Sequence, residues 1–151
     1  MAPAPPPPAA PAATDVSRQP QPLGVESQPV QSGDVADLQE VAGLKRINFA
    51  YNQFTLEDQA RVVLEQNAVY LRRHPAEKIV IEGHCDERGS DEYNLALGER
   101  RALAAKNYLV SLGIAAERLS IISYGEEKPL VTTSGEEAWA QNRRAEFKVA
   151  R

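Results

Sequence analysis

An acid and an arginine at opposite ends of one short segment are the side chains best suited to bind a charged ligand. Asp86 lies in a loop that closes at Gly89, and Arg101 lies in the long helix predicted to follow. Asn94 and Leu97 precede Arg101 at spacings of three and four residues, so a helix places the three on one face. One carboxylate and one guanidinium are therefore expected to lie at the mouth of the same binding pocket.

Both residues also have ordinary structural interpretations. Loop aspartates usually cap a turn or pair with a neighbour, here Arg88. Arg101 could form a surface ion pair three or four residues along its helix, which would contribute only tenths of a kcal/mol. The residues alone leave these alternatives open.

A metal or thiol-enzyme site at His84, Cys85 and Asp86 is disfavoured by the sequence. Residues 84 and 85 in a strand point to opposite faces, so they cannot form a catalytic dyad. The chain has two histidines and one cysteine, too few for a common zinc set. We predict no metal and no cofactor, with Cys85 as a small buried residue. His84 either forms a local hydrogen bond or lines the pocket.

A carboxylate-pair hydrolase is the enzyme alternative, with Asp86 acting together with Glu87 or Glu92. Acids at the start of a helix have a structural reason to be there, because they interact favourably with the helix dipole. The sequence therefore favours a binding module over an enzyme.

Local signals define the elements on either side of the loop. A β-branched run predicts a strand over 78–85. Ser90 is a good N-cap for a helix that continues to Leu112, and Gly113 is typical of its end. One stripe of this helix is predicted to face the core: Leu95, Gly98, Ala102, Ala105, Leu109 and Leu112.

The remaining elements follow the same alternation. Strands are predicted over 45–51, 119–124 and 144–150, the last with Ala145, Phe147 and Val149 on one face. A short helix is predicted over 136–142. Thr55 and Asp58 resemble a capping box that opens a helix ending before Pro75. The inner side of this helix is predicted to carry Leu56, Ala60, Val63, Leu64, Ala68 and Leu71. The order βαβαβαβ predicts an α/β sandwich with helices packed on a sheet.

Composition divides the chain at about residue 43. Residues 1–43 hold nine of the eleven prolines and no aromatic residue, which predicts a disordered, partly polyproline tether. Residues 44–151 are long enough for one domain with a core. They carry sixteen basic and sixteen acidic residues, a balance that argues against binding nucleic acid. No apolar run approaches the ~20 residues needed to span a bilayer.

Several motifs together carry a family resemblance. One segment of the chain reads GHCDERG-SDEYN-LALGERRA. It resembles the peptidoglycan-associated lipoprotein branch of the OmpA-like domain family. The family pattern N-x-x-L-[S/G]-x-x-R-A is matched by Asn94, Leu97, Gly98, Arg101 and Ala102. ISYGEEKP and NRRAEF extend the resemblance over residues 44–151. It implies a mixed sheet with the first two helices on one face.

The resemblance also implies a ligand and a site. In this family the acid matching Asp86 holds the amino group of diaminopimelate in the peptide of peptidoglycan, and the arginine matching Arg101 holds its carboxylate. The chemistry fits, because a zwitterion needs one anion and one planar fork of donors. The predicted ligand-binding residues are Asp86, Arg101, Asn94, Leu97, Cys85, Tyr51 and Asn52. The segment 49–52 departs from the family, because Asn52 replaces an acid and offers only a neutral hydrogen bond.

Further expectations follow from the resemblance alone. They are a non-catalytic role that ties the outer membrane to the wall in a Tol–Pal system, and a TolB-like propeller protein as partner. The expected location is the periplasmic face of the outer membrane, through a lipidated cysteine that we expect outside this sequence. The alternative is that this protein is not anchored through a lipid. A wall anchor of another envelope protein, such as a motor stator or a porin, is the alternative within the family. Asn142, Arg143 and Arg144 match its NRR motif, and we expect them to give structural support.

Overall fold

The strand that leads into the predicted site lies in a five-stranded sheet. The computed structural model describes residues 38–150, so most of the predicted tether lies outside the described residues. The elements in chain order are β1 (Leu38–Gln39), β2 (Ile47–Asn48), α1 (Asp58–Arg73), β3 (Lys78–His84), α2 (Asp91–Ser111), a 3₁₀ turn (Ala116–Arg118), β4 (Leu119–Gly125), α3 (Glu136–Asn142) and β5 (Arg144–Ala150).

The sheet is mixed, as predicted. Its order is β1–β5–β3–β4, and β2 also pairs with β5. Strands β3 and β4 are parallel, with Ile81 opposite Ile121. All pairs with β5 are antiparallel, and Phe147 is the partner of Ile81 on that side. Because β3 and β5 are neighbours, the loop after β3 and the loop before β5 meet at one end of the sheet.

Helices α1 and α2 cover one face of the sheet, which confirms the predicted layering. Alternate residues of β3, β4 and β5 point to that face. The core that they form with the helices includes Ala60, Leu64, Ala68, Leu71, Ile79, Ile81, Ala102, Ala105, Leu109, Ile121, Ala145, Phe147 and Val149. All of the residues predicted on one face of β5 belong to this core.

The opposite face of the sheet carries charged groups that neutralise one another. Glu82 and Glu146 are cross-strand neighbours, and the ammonium of Lys148 lies 3.6 Å and 3.5 Å from their carboxylates. Arg144 forms an ion pair with Glu146, and the Nε2 atom of His84 lies 3.1 Å from Oε1 of Glu82. Pairing of this kind offsets the cost of burying charge.

The site helix begins and ends as predicted. The hydroxyl of Ser90 accepts a hydrogen bond from the backbone N–H of Tyr93 at 3.1 Å, so it is the N-cap of α2. Gly113 follows the helix at a φ of 100°, a conformation that glycine adopts at little cost. Gly83 of β3 faces Gly98 of α2 so closely that a Cβ on Gly83 would overlap the Gly98 carbonyl.

Four details of the predicted fold are wrong. Leu95 is 41% exposed, because Asn94 and Leu97 occupy the inward face of the first turns of α2. Thr55 does not open a capping box, since α1 begins at Asp58 with Glu57 as an N-cap that makes no side-chain cap bond.

The first predicted strand, 45–51, is reduced to Ile47–Asn48. Its partner β5 begins at Arg144, which pairs with Asn48, so no strand residue remains to pair with the chain beyond it. The sheet also starts earlier than the predicted boundary at residue 44, because Leu38 pairs with Ala150.

Candidate functional site

All seven residues predicted to bind a ligand surround one small cavity. It lies between the turn after β2, the loop after β3 and the first turns of α2. Its volume is about 10 Å³, which is room for about one water molecule. The lining consists of Tyr51, Asn52, Cys85, Asp86, Arg88, Asn94, Leu97 and Arg101. Arg88 is the one member that was not predicted as a binding residue.

Asp86 is a buried carboxylate held between two arginines. Only 4% of its side chain is exposed. Its Oδ1 atom accepts hydrogen bonds from the backbone N–H and Nε of Arg88, at 3.0 Å and 3.2 Å. Its Oδ2 atom accepts one from Nη2 of Arg88 at 2.7 Å and lies 3.5 Å from Nη1 of Arg143. The structural alternative considered for Asp86, a pair with Arg88, is therefore present in this structure.

Arg101 is the largest fully buried side chain among the described residues. Its Nε, Nη1 and Nη2 atoms donate to the backbone carbonyls of Gln53, His84 and Ala50 at 2.8, 2.9 and 3.2 Å. A surface ion pair for Arg101 is thereby ruled out. These three bonds leave one hydrogen on each terminal nitrogen. Burial lowers the pKa of Arg101 from its ordinary value, but the ordinary value is so high that the guanidinium stays charged.

Asn94, Cys85 and Leu97 brace the cavity. The side-chain amide of Asn94 donates to the carbonyl of Arg88 and to Oε1 of Glu126, both at 2.9 Å. The thiol of Cys85 donates to the carbonyl of Asn94 at 3.3 Å, and burial raises its pKa to about 11. Leu97 is buried beside them. Cys85 is thus the small buried residue that the sequence predicted, and its thiol is protonated at neutral pH.

Tyr51 and Asn52 form the turn on the other side of the cavity. Asn52 has a φ of 60°, a left-handed conformation that asparagine tolerates better than most residues. Its Oδ1 atom accepts a hydrogen bond from the hydroxyl of Tyr93 at 2.8 Å, so this turn is tied to the first turn of α2. The ring of Tyr51 lies 3.9 Å from the guanidinium carbon of Arg88.

Glu87 and Trp139 lie beside the cavity and contact each other. Glu87 was considered above only as a hydrolase partner of Asp86, and no local sequence signal pointed to Trp139. The guanidinium carbon of Arg88 lies 3.9 Å from the Trp139 ring. Oε2 of Glu87 accepts hydrogen bonds from Ser134 at 2.6 Å and from the indole of Trp139 at 2.8 Å. These bonds lower the pKa of Glu87 and join the loop after β3 to the start of α3.

The NRR motif, Asn142 to Arg144, holds together the segments next to the site. Asn142 accepts hydrogen bonds from the backbone of Leu130 and Val131 at 2.7 Å and 3.0 Å. Arg143 donates from Nε to the carbonyl of Phe49 at 2.8 Å and from Nη2 to Glu136 at 3.1 Å. Its buried Nη1 atom has no hydrogen-bond partner and faces Asp86. The predicted structural support by these residues is confirmed, and Arg143 also adds positive charge beside the cavity.

His84 lies on the charged face of the sheet, and of its two predicted roles it takes the local hydrogen bond, to Glu82. Between residues 38 and 150, no group of three or more potential metal ligands lies close enough together to hold an ion. Within the same range, no helix is long and apolar enough to cross a membrane.

Comparisons with known proteins identify the fold and the family. The OmpA family model matches residues 48–143. A peptidoglycan-associated lipoprotein from Pasteurella multocida is 44% identical over 111 residues, covering 74% of this chain and 73% of that protein. The crystal structure of the peptidoglycan-associated lipoprotein from Burkholderia pseudomallei superposes with a TM-score of 0.67 at 41% identity, over 69% of this chain and 88% of that one.

A more distant structure has the same fold. The C-terminal domain of MotB from Helicobacter pylori superposes with a TM-score of 0.67 at 20% identity, over 72% of this chain and 86% of that one. This likeness shows a shared fold alone. The family match and the identity to the two lipoproteins carry the assignment: the chain belongs to the OmpA family, in its peptidoglycan-associated lipoprotein branch.

Proposed function

We propose that this domain binds peptidoglycan non-covalently and that the cavity between Asp86 and Arg101 takes the zwitterionic end of a diaminopimelate residue in the wall peptide. One observation carries the proposal: a buried carboxylate and a buried guanidinium line the same cavity. Asp86 already has Arg88 and Arg143 as partners, and Arg101 has three backbone carbonyls. Arg101 still retains free N–H groups, and a ligand that carries both an ammonium and a carboxylate would complement the two buried charges.

The two charges have distinct roles in this proposal. The hydrogens that Arg101 retains on its two terminal nitrogens would bind the two oxygens of the ligand carboxylate. Asp86 would accept hydrogen bonds from the ligand ammonium. Charge-assisted hydrogen bonds in a site that excludes water are stronger than neutral ones, so a small contact area suffices for specific recognition.

The relatives support the choice of ligand. The proteins from Pasteurella multocida and Burkholderia pseudomallei are both named as peptidoglycan-associated lipoproteins. We extend that property to this chain, together with a place in the bacterial envelope. The finer parts of the proposal are an anchor in the outer membrane, a role in a Tol–Pal system and a TolB-like propeller protein as partner. Co-purification with that propeller protein from envelope extracts tests the last part directly.

A wall hydrolase fits the site less well. A general acid needs a carboxyl group whose pKa is raised towards neutrality. The hydrogen bonds from Ser134 and Trp139 instead lower the pKa of Glu87, the predicted hydrolase partner of Asp86. Burial raises the pKa of Glu126 beside the cavity, but Glu126 accepts a hydrogen bond from the bracing side chain of Asn94. We therefore propose binding without cleavage.

Calorimetric titration with two matched muropeptides tests this function. One carries diaminopimelate and the other carries lysine, which keeps the ammonium but lacks the second carboxylate. Loss of a hydrogen bond to a charged group costs about 1.5–3 kcal/mol, so the lysine form should bind about tenfold more weakly or worse. Equal binding of both forms, or the release of soluble fragments during incubation, would contradict the proposal.

A further inference from the structure

The cavity as it stands is too small for the ligand proposed above. Its volume of about 10 Å³ holds about one water molecule, whereas an ammonium and a carboxylate on one carbon need several times that space. Some part of the lining therefore has to move before a ligand end can enter. The hydrogen bonds of the lining residues indicate which side chain that is.

The guanidinium of Arg88 occupies the position on Asp86 that a ligand ammonium would need. Nε and Nη2 of Arg88 each donate to one oxygen of the carboxylate, at 3.2 Å and 2.7 Å. The Arg88 side chain is 28% exposed and that of Asp86 only 4%, so Arg88 lies on the solvent side of the acid. Tyr51 and Trp139 hold its guanidinium from either face, each ring 3.9 Å away.

Arg88 can leave Asp86 more easily than the other cation can. The side-chain hydrogen bonds described for Arg88 all go to Asp86. Arg143 is fixed by bonds to Phe49 and Glu136, and its side chain is 8% exposed. A ligand ammonium that replaces Arg88 therefore disturbs one partly exposed side chain and its contacts with the Tyr51 and Trp139 rings, and Asp86 keeps Arg143 beside it.

We propose that Arg88 is a specificity-determining residue, an internal competitor that occupies the ammonium subsite until a ligand cation displaces it. This inference rests on the function proposed above. A ligand end without a cation cannot compensate a carboxylate from which a guanidinium has been removed, so Arg88 excludes ligand ends that carry no cation. The same competition reduces the observed affinity, because only the fraction of molecules with Arg88 displaced can bind.

If Arg88 competes with the ligand, removal of this arginine should strengthen muropeptide binding rather than weaken it. Arg88→Gln removes the competitor and keeps a side chain of similar reach. The variant should bind a diaminopimelate-containing muropeptide about threefold to tenfold more tightly than the parent protein. It should also bind a muropeptide whose diaminopimelate amine is N-acetylated, and which therefore has no cation at that end, relatively better than the parent does. Arg100→Gln, an exposed arginine on the first half of α2, is the matched control and should leave both affinities unchanged.

The single tryptophan of the chain reports the displacement itself. Trp139 contacts the Arg88 guanidinium, so its fluorescence should change when muropeptide is mixed with the parent protein. The change on titration with muropeptide should be smaller in Arg88→Gln than in the parent, because no guanidinium leaves the Trp139 ring in the variant.

Each result has a defined meaning. Tighter binding by Arg88→Gln, with circular dichroism unchanged, is expected. Equal or weaker binding by the folded variant would overturn the competitor role and leave the proposed function standing, with Arg88 as a bystander or a direct ligand contact. Absence of muropeptide binding in both proteins would overturn the proposed function and this inference together.

Discussion

His84 is a buried histidine whose environment disfavours its charged form. Its side chain is 1% exposed, Nε2 lies 3.1 Å from Glu82 and Nδ1 has no hydrogen-bond partner. Burial lowers its pKa from the ordinary 6.5, although the hydrogen bond to Glu82 opposes part of the effect. Between the lowered pKa and 6.5 the unfolded chain binds a proton that the folded chain does not, so acid favours unfolding in this window.

The free energy of unfolding should therefore fall as the pH is lowered from about 7 through 6.5, and His84→Gln should flatten this slope. Urea denaturation at a series of pH values measures it. His74→Gln, at an exposed position, is the comparison for replacing a histidine elsewhere in the domain. An unchanged slope in the His84 variant would show that this histidine does not carry the acid sensitivity.

At the scale of elements, the site depends on the close contact between β3 and α2. Gly83 and Gly98 let the strand and the helix approach until the Gly98 carbonyl lies against Gly83. This approach positions the loop that carries Asp86 against the first turns of the helix that carries Arg101.

Gly83→Ala should destabilise the fold by at least the ~1–3 kcal/mol typical of overpacking, because the added methyl group meets backbone rather than a flexible side chain. Gly113→Ala is the informative comparison. That position has open space but a positive φ, so only backbone strain of about 1 kcal/mol is expected. Chemical denaturation of both variants would contradict the account if Gly83→Ala were the milder change.

Element boundaries followed from the sequence wherever the signal was local. Ser90 and Gly113 mark the ends of α2 through short-range capping chemistry, and both were predicted correctly. Thr55 failed as a capping residue because a motif match does not fix where the helical hydrogen bonds begin. The shortened β2 depended on where its partner begins, which a single strand does not reveal.

The sequence was enough to predict which side chains line the site, but not which groups they hydrogen-bond to or contact. Helix periodicity placed Asn94, Leu97 and Arg101 together, and the family resemblance added the residues of the two loops. Arg101 is buried against backbone carbonyls of two separate segments, the turn at residues 50–53 and the end of β3. The guanidinium of Arg88 contacts two aromatic rings that are distant in sequence. Such long-range contacts leave no periodic trace in the sequence.

At the scale of the whole chain, the described fold includes a short segment that composition assigned to the tether. Leu38 pairs with Ala150, Val41 packs against the core, and the carbonyl of Val41 accepts a hydrogen bond from Leu44 at 3.2 Å. Residues 38–43 therefore contribute to the stability of the domain, although the predicted boundary placed them in the tether.

Two truncations separate the contribution of residues 1–37 to stability from that of residues 38–43. Removal of residues 1–37 should leave Tm and muropeptide affinity nearly unchanged, because a segment without apolar patterning adds no core. Removal of residues 1–43 should lower Tm by about 5 °C, since burial of a valine side chain contributes on the order of 1–2 kcal/mol. Thermal unfolding followed by circular dichroism measures both. An equal loss in the shorter truncation would show that residues 1–37 pack on the domain.

The central claim concerns the charge of Asp86, and Asp86→Asn tests it with the least disturbance to the fold. The amide keeps the shape of the carboxylate and can still accept a hydrogen bond from the loop backbone, whereas Arg101→Ala would leave three buried carbonyls without their donor. Arg100→Ala is the control, because its side chain is exposed one position round the helix.

The measurement is calorimetric titration of the folded variants with a diaminopimelate-containing muropeptide. If Asp86 holds the ligand ammonium, Asp86→Asn should bind about tenfold more weakly or worse, as expected for the loss of a charge-assisted hydrogen bond of about 1.5–3 kcal/mol. Arg100→Ala should bind as the parent does. Folded Asp86→Asn protein that binds the muropeptide with parental affinity would contradict the account.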